Sequence, residues 1–345
     1  MKAFLPVACC LLAVVCVLSA QERPTGEGFS FKTGVALINV AVTVTDASGR
    51  FASGLRKDDF IIYEDGKPQT VSQFESERVP VSLGIALDTS GSMLGEKIAA
   101  AQAALNRFLV DLLGPQDEVF LYRFDSRPEL VHPWTSDRQA VSRALGAVQP
   151  RGGTAMYDTV AEAIPMSQAG TRRKKALVVI SDGQDTSSQM RVPELQALIR
   201  ETEVLVYAIG IDASGGSSYS ARPAASGTSS REPSPSPFPG KKPIVPVTRV
   251  PSTPAPAMPG KNSSTDRVNV DALRAITDDS GGRTEIIYSN RDLDPATAGI
   301  ADELSKQYFL AYSSTLPKDG RWHTIEVRVR KGNYTVRARK GFIAS

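Results

Sequence analysis

The 345-residue sequence predicts an α/β protein built on a doubly wound, mostly parallel six-stranded sheet, with a small β-sandwich beside it. From Pro80 onward, strand patterns alternate with helix patterns, which is typical of a parallel sheet. The runs Val81 to Leu87 and Ala176 to Ile180 are continuously apolar, as expected for strands covered on both faces. β-type segments flank this region on both sides. Because lone hairpins are marginal in water, we expect these segments to pack together as one sandwich.

The N-terminal β segment covers residues 30–79. Valines at positions 40, 42 and 44 alternate with Ala41, Thr43 and Thr45, the pattern of a half-buried strand. A second strand is predicted at Phe60 to Tyr63. Asp65-Gly66 is a hairpin signal, and it predicts a return strand from Gln69 to Phe74.

The α/β region covers residues 80–306. Its first strand is followed by a helix that stops at Gly114-Pro115. Apolar residues recur along this helix at helical spacing: Ile98, Ala101, Leu105, Phe108 and Leu112. Further strands are predicted at 118–124, 129–134, 204–211 and 284–287. Further helices are predicted at 137–148, from about 155, and at 193–201, 270–278 and 292–306.

Two segments depart from this alternation. Residues 213–264 are rich in Ser, Pro and Gly, so we predict a disordered insertion with polyproline character. A proline-motif docking site is the alternative there. The C-terminal segment, 307–345, is β again, with a strand at Tyr308 to Tyr312 and an amphipathic strand around Val327. Lys331-Gly332-Asn333 should turn that strand into a partner at Tyr334 to Arg339.

The N-terminus has the pattern of an export signal over residues 1–20. Lys2 precedes an apolar run from Phe4 to Leu18, and Ser19-Ala20 offers a small-residue cleavage site. An uncleaved membrane anchor, or a lipid anchor on Cys16, is the alternative. All three cysteines lie in this signal, so the mature chain would have no disulfide and no thiolate ligand. We expect secretion across the inner membrane to the periplasm, cell surface or medium, with no membrane span after cleavage.

The segment Asp88-Thr89-Ser90-Gly91-Ser92 directly follows the first apolar strand. Ligands in open α/β sheets bind at the carboxyl ends of strands. This turn places one carboxylate and two hydroxyls there, and hard divalent cations prefer such oxygens. An ordinary turn with a helix cap is the alternative, because Ser and Asp favour both.

Two later segments could converge on that turn. Thr154 follows Gly152-Gly153 before a helix, and Asp182 ends another apolar strand. Together with the first turn they would supply two carboxylates and three hydroxyls. Water and an incoming ligand would have to complete the shell of a divalent ion. Asp125 and Asp158 are candidates for supporting contacts, or else capping and solvated carboxylates.

These motifs resemble the metal-ion-dependent adhesion site of von Willebrand factor type A domains. The resemblance is carried by Asp-x-Ser-x-Ser, Gly-Gly-Thr and Ser-Asp-Gly, and it spans about Val79 to Ala311. The outer segments resemble an exported bacterial group that carries this domain, well known from acidobacteria. Two stretches show that second resemblance: Asp59-Phe60 through Glu64-Asp65-Gly66, and Arg339-Lys340-Gly341-Phe342.

The resemblance implies a six-stranded sheet in which a short hairpin strand lies antiparallel at one edge. It also implies that Ser90, Ser92 and Thr154 ligate Mg²⁺ or Mn²⁺ directly. Asp88 and Asp182 would act largely through bound water. The open coordination position would accept a Glu or Asp carboxylate from a partner protein.

The sequence therefore predicts an exported, monomeric, non-catalytic protein-binding module. A structural envelope module with an idle metal site, or a metal-assisted hydrolase, is the alternative. Its two histidines, His132 and His323, neighbour no recognisable nucleophile, and neither a Gly-x-Ser-x-Gly elbow nor a phosphate-binding loop is present. A net charge of +3 is too balanced for nucleic-acid binding. We expect the basic cluster at 172–175 to follow a helix end rather than to bind nucleic acid.

Overall fold

A computed structural model describes residues 36–212 and 267–344. The predicted signal at 1–20 lies outside the described residues, as does the predicted insertion at 213–264. The strands, in chain order, are β1 Ala36–Thr45, β2 Phe60–Glu64, β3 Lys67–Gln69, β4 Val71–Glu75, β5 Val81–Asp88, β6 Glu118–Phe124, β7 Pro128–Thr135, β8 Lys174–Ser181, β9 Leu205–Ile211, β10 Thr284–Ile287, β11 Tyr308–Ser314, β12 Trp322–Val329, β13 Thr335–Arg337 and β14 Gly341–Ile343. The helices are α1 Glu96–Arg107, α2 Arg138–Gly146, α3 Met156–Gln168, α4 Val192–Arg200, α5 Val270–Thr277 and α6 Leu293–Lys306.

The large sheet has six strands in the order β10-β9-β8-β5-β6-β7. All neighbours are parallel except β7, which runs antiparallel to β6 at one edge. Helices α1, α2 and α6 contribute to the apolar core on one face, and α3, α4 and α5 to the core on the other. This doubly wound arrangement confirms the predicted fold class. It also puts the carboxyl ends of β5 and β8 side by side at the centre of one sheet edge.

Two four-stranded antiparallel sheets form the smaller part, in the orders β13-β1-β11-β4 and β14-β12-β2-β3. Their inward side chains share one apolar core, to which the N-terminal and C-terminal segments both contribute. Val40, Val42 and Val44 are fully buried in it, as their alternation predicts. The sandwich built from both ends of the chain is therefore confirmed.

The pairing of the short outer strands differs from the prediction. The single strand expected from Gln69 to Phe74 breaks at Thr70: β3 pairs with β2, whereas β4 pairs with β11 in the opposite sheet. Likewise β13 pairs with β1, and β14, not β13, pairs with β12. Between β3 and β4, and again between β13 and β14, the chain crosses from one sheet to the other. Each sheet thereby gains a short strand that helps to cover its side of the shared core. The expected hairpin between β12 and residues 334–339 is therefore wrong.

The first helix also departs from its predicted spacing. After α1 the chain makes a π-helical turn at Phe108–Leu112, which inserts one residue into the helical repeat. As a result Leu109 and Leu113 are buried, whereas Leu112 is 36% exposed. The predicted core position at Leu112 is therefore wrong by one residue.

The basic cluster at 172–175 follows the end of α3 and lies against the sandwich. Lys174 is buried in β8, and its Nζ donates a 2.7 Å hydrogen bond to the Leu304 carbonyl. The Arg173 guanidinium stacks 4.7 Å over the Phe309 ring of β11. Arg173 therefore helps to join the two parts of the fold, which belong to one compact unit, whereas Lys174 binds within the α/β part. None of the described helices is both long and apolar enough to cross a membrane.

Candidate metal centre

The turn after β5 holds the first three predicted ligands. Asp88 is fully buried, and its carboxylate accepts hydrogen bonds from the Ser90 backbone N–H at 2.8 Å and from Ser181 Oγ at 2.5 Å. The hydroxyls of Ser90 and Ser92 lie 3.0 Å apart. The turn continues as a 3₁₀ segment whose Met93 is fully buried and anchors it in the core. Ser92 is exposed, so this group of oxygens opens toward solvent.

The loop that carries Thr154 is tied directly to this turn. Gly91 N donates to the Gly152 carbonyl at 3.0 Å, and Arg151 N donates to the Thr89 carbonyl at 2.7 Å. Thr154 is nearly buried, and its own N–H donates to Thr186 Oγ1 at 2.9 Å. Within the described part of the chain, the Thr154 hydroxyl takes part in no hydrogen bond. It is therefore available to a ligand.

Asp182 follows β8, the strand beside β5. Its Oδ1 accepts from Gln184 N at 3.1 Å, and its carbonyl accepts from Asn269 N at 2.8 Å. Gly183 has a φ of +74°, and a Cβ there would lie 2.7 Å from the Asn269 carbonyl oxygen. A glycine is therefore required where the chain passes from Asp182 into the next loop.

The electrostatics of the site favour a cation. Burial raises the pKa of the Asp88 carboxyl to about 6, although hydrogen bonds from Ser181 and Ser90 oppose the rise. The charge of Asp182 adds to it, so the two carboxylates repel each other. Across residues 36–212 and 267–344, no Lys, Arg or His forms an ion pair with either one. A divalent ion would supply the missing positive charge.

The donor set fits a hard cation by its chemistry. It consists of two carboxylates and three hydroxyls, all oxygen, as Mg²⁺ and Mn²⁺ prefer. The described residues contain no group of three or more His, Cys, Asp or Glu side chains placed to hold a metal ion. Any metal here must therefore rely on the hydroxyls of Ser90, Ser92 and Thr154, and this assignment remains a prediction.

Both candidates for supporting contacts have structural partners. The Asp125 carboxylate accepts from Arg151 Nε at 3.0 Å, and its carbonyl accepts from Ala155 N at 2.7 Å, so it fixes the Thr154 loop. The Asp158 carboxylate accepts hydrogen bonds from the N–H groups of Gln189 and Met190, so it fixes the loop that follows Asp182 instead.

Sequence reasoning missed two hydroxyls at the site. Ser181 orients Asp88, and Thr186 positions the Thr154 backbone. Ser181 could have been found from its position, because it pairs across the sheet from the strand that ends at Asp88. The role of Thr186 depends on a loop-to-loop contact that the sequence does not indicate.

In doubly wound α/β folds, ligands bind at the carboxyl ends of the strands, and the oxygen-rich site lies at that edge of the sheet. Residues 83–184 match the family model of the von Willebrand factor type A domain, which supports a domain of this type in that part of the chain. Domains of this family are typically interaction modules rather than enzymes.

Two curated proteins resemble part of the chain. Inter-alpha-trypsin inhibitor heavy chain H4 from Bos taurus is 28% identical over 136 residues, which is 36% of this chain and 15% of that protein. The protein of the same name from Homo sapiens is 27% identical over 136 residues, or 14% of its length. The chain thus spans about a seventh of the length of these relatives.

Solved structures with a similar fold include several at low identity. A von Willebrand factor type A protein from Catenulispora acidiphila is 14% identical, with a TM-score of 0.45, and the match covers 91% of this chain and 75% of that one. BatB from Bacteroides thetaiotaomicron is 21% identical, with a TM-score of 0.45, over 66% and 98% of the two chains. Proximal thread matrix protein 1 of the mussel byssus, "with zinc occupied MIDAS motif", is 12% identical, with a TM-score of 0.47, over 70% and 49%.

Proposed function

We propose that the chain is a metal-dependent protein-binding module. Its cation, Mg²⁺ or Mn²⁺, would be held by Asp88, Ser90, Ser92, Thr154 and Asp182, and a partner protein would supply a Glu or Asp carboxylate. One observation carries the proposal: the turn after β5, the Thr154 loop and the end of β8 are joined by hydrogen bonds into a single oxygen-lined site.

Charge and access support this reading. Two carboxylates balance the charge of a divalent ion, and three hydroxyls add ligand oxygens without further charge. Coordination positions remain for water or an incoming anion. Asp88 lies at the buried end of the site, whereas Ser92 is exposed. A partner carboxylate could therefore approach from the Ser92 side without rearrangement of the strands.

The positions of the two histidines argue against hydrolysis. His132 lies on the edge strand β7, two strands from β5. His323 lies in the sandwich, where its ring nitrogens contact Asp65 at 2.7 Å and Asp319 at 3.2 Å. Neither can act as a general base at Asp88, so the binding function is favoured over the metal-assisted hydrolase.

The wider organisation is part of the same proposal. Residues 30–79 and 307–345 would form an accessory sandwich that supports a binding domain at 80–306. Export by the segment at 1–20 would place the site in the periplasm or at the cell surface, where a partner protein can be met. The absence of cysteines from the rest of the sequence suits an exported chain that holds together by its core.

Calorimetric titration with Mg²⁺ and Mn²⁺ tests the metal site directly. The wild type should bind one ion, Asp88→Ala should bind none, and Asp302→Ala should behave as the wild type, because Asp302 is an exposed helix carboxylate paired with Lys306. The partner function is tested by retention on a surface densely coated with glutamate-containing peptide. Retention should require the metal, and EDTA or Asp88→Ala should abolish it. Metal binding without retention would favour an idle site, and absence of metal binding would overturn the proposal.

A further inference from the structure

The most exposed large apolar side chains lie on the same edge of the sheet as the candidate metal centre. Six large apolar residues are exposed among those the structure describes: Leu37, Leu94, Val110, Leu112, Leu130 and Tyr288. Leu94 and Tyr288 are the most exposed, at 63% and 61%. Leu94 follows the carboxyl end of β5, and Tyr288 that of β10, which lies three strands away in the same parallel array. The other four belong to β1, β7 and the π-helical turn.

Leu94 is held outward by a fixed turn. It comes two residues after Ser92, and its N–H donates to the Gly91 carbonyl at 3.4 Å. Buried Met93 anchors the turn from beneath, and Lys97 Nζ donates to the Ser92 carbonyl at 2.9 Å. The leucine therefore offers a preformed apolar surface directly beside an exposed hydroxyl of the site. A single exposed leucine is ordinary on a protein surface, but Leu94 lies two residues from a proposed metal ligand, Ser92.

Exposed arginines occur in three loops that are linked to the site by hydrogen bonds. Arg127 follows Ser126, whose hydroxyl accepts from Gly153 N at 2.8 Å, and Arg151 belongs to the loop that contacts the first turn. Arg267 is exposed, and its carbonyl accepts from the Gln184 side chain. Among the acidic residues nearby, Asp125 is paired with Arg151, and Glu96 is exposed beyond Leu94. Arg127 and Arg267 are the exposed arginines here without a carboxylate partner among the ion pairs of the described residues, so they could contact an acidic partner segment.

We propose that the partner residue next to the coordinating carboxylate is apolar and packs on Leu94. This inference rests on the proposed function, and it names the partner chemistry as an exposed acidic residue with a Leu, Ile or Phe neighbour. Residues 92 and 94 are separated by two Cα steps, so a neighbouring side chain of the partner can reach Leu94 while the carboxylate occupies the site. Burying one leucine-sized contact should strengthen binding about tenfold.

The test uses two surfaces coated at equal density with short peptides. Both peptides have one central Glu, flanked by Leu in the first and by Ser in the second. With Mg²⁺ the wild type should be retained about tenfold more strongly on the Leu-flanked surface. Leu94→Ser should remove this preference and keep metal-dependent retention on the Ser-flanked surface. Leu130→Ser, which removes an exposed leucine from β7, should leave the preference unchanged.

The outcomes separate this inference from the proposed function. Equal metal-dependent retention of the wild type on both surfaces would overturn the role of Leu94 and leave the binding function standing. Absence of metal-dependent retention on both surfaces would overturn both. A preference for the Leu-flanked surface that survives EDTA would show adhesion unrelated to the site, and would also overturn the inference. Equal melting temperatures of Leu94→Ser and wild type would confirm that the variant is folded.

Discussion

The hydroxyl of Thr43, on the first strand of the sandwich, donates a 3.0 Å hydrogen bond to the carboxylate of Glu303, on the last helix of the α/β domain. Both residues are buried. The same carboxylate accepts from the Tyr207 hydroxyl at 2.9 Å and from Arg283 Nε at 3.0 Å, and it also contacts Arg337. A buried, charge-assisted network of this kind fixes the sandwich to the domain that carries the site.

Glu303→Gln should destabilise the protein by about 3 kcal/mol, because two arginines lose a buried carboxylate. The chain has two tryptophans, Trp134 on β7 and Trp322 on β12, so Trp134→Phe and Trp322→Phe leave one fluorescent reporter in each part of the fold. We expect both reporters to unfold at the same urea concentration, and Glu303→Gln to lower both midpoints together. Asp302→Asn, on the exposed side of the same helix, is the control. Two separate transitions in the single-tryptophan proteins would contradict the interpretation.

Asp88→Asn should show separately how the buried charge of Asp88 affects the stability of the metal-free protein and how it affects metal binding. Because burial raises the Asp88 pKa to about 6, the carboxylate is held ionised at neutral pH at an energetic cost in the metal-free protein. In EDTA the variant should therefore melt no lower than the wild type. With millimolar Mg²⁺ only the wild type should gain stability, since only it binds the ion. Differential scanning fluorimetry with and without the metal measures both effects. A variant whose melting temperature also rises with Mg²⁺ would contradict the assignment of Asp88 as a metal ligand.

Thr154→Val tests the hydroxyl that makes no hydrogen bond. The substitution keeps the shape and removes one proposed ligand, so the affinity for Mg²⁺ should fall about tenfold or more while the melting temperature in EDTA changes little. Thr159→Val is the matched control. Its hydroxyl donates a 2.7 Å hydrogen bond to the carbonyl of Ala155, the residue before α3, so its loss should leave the metal affinity intact. Equal affinities of Thr154→Val and wild type, measured by calorimetry, would remove Thr154 from the ligand set.

Local patterns predicted the central elements because the strands β5, β8 and β9 are buried on both faces. The strands at 118–124 and 284–287 match their predicted limits, and the site was predicted because parallel strands end at one edge. Pairing in the sandwich could not be predicted in this way. The short strands β3 and β13 have three residues each, which is too few for alternation to say which sheet they join.

Contacts between distant loops could not be predicted from the sequence either. Ser181 and Asp88 are 93 residues apart, and only the register of β5 with β8 brings the hydroxyl to the carboxylate. The burial of Lys174 could not be inferred from a run of four basic residues, because it depends on where α6 ends against β8. The π-helical turn at Phe108–Leu112 likewise shifted a helical register that the apolar spacing alone described as regular.

Gly183→Ala should disturb the site through the backbone. A Cβ at this position would collide with the Asn269 carbonyl at 2.7 Å, in addition to the strain of a positive φ. We expect a loss of about 1–3 kcal/mol in unfolding free energy and weaker Mg²⁺ binding. Gly54→Ala has a similar φ of +80° with nothing within 4 Å of the added carbon, so it measures the strain alone. If both variants lose the same stability and neither loses affinity, the close approach at Gly183 has no bearing on the site.

His323 should make the stability of the sandwich depend on pH. Its hydrogen bond to Asp65 is the main reason that its pKa lies above the ordinary 6.5, with a further contribution from Asp319. The folded state therefore binds this proton more tightly than the unfolded chain. The resulting stabilisation is fully present below pH 6.5 and is lost as the pH rises through the folded pKa. The pKa values of both carboxyl partners, Asp65 and Asp319, are lowered from 3.8. The stabilisation that they contribute is therefore present above pH 3.8 and is lost in stronger acid.

His323→Gln should accordingly cost more stability at about pH 5.5 than at about pH 9, in urea unfolding at constant ionic strength. His132→Gln is the control for the loss of an imidazole ring, because in the described chain that ring forms a hydrogen bond with the neighbouring Pro133 carbonyl and no ion pair with a carboxylate. Since Asp88 titrates alike in both variants and the wild type, the differences between proteins isolate the histidines. A His323→Gln deficit that stays constant or grows toward high pH would show that the ring packs as a neutral group. The Asp65–His323 pair would then be an ordinary hydrogen bond rather than a charged one.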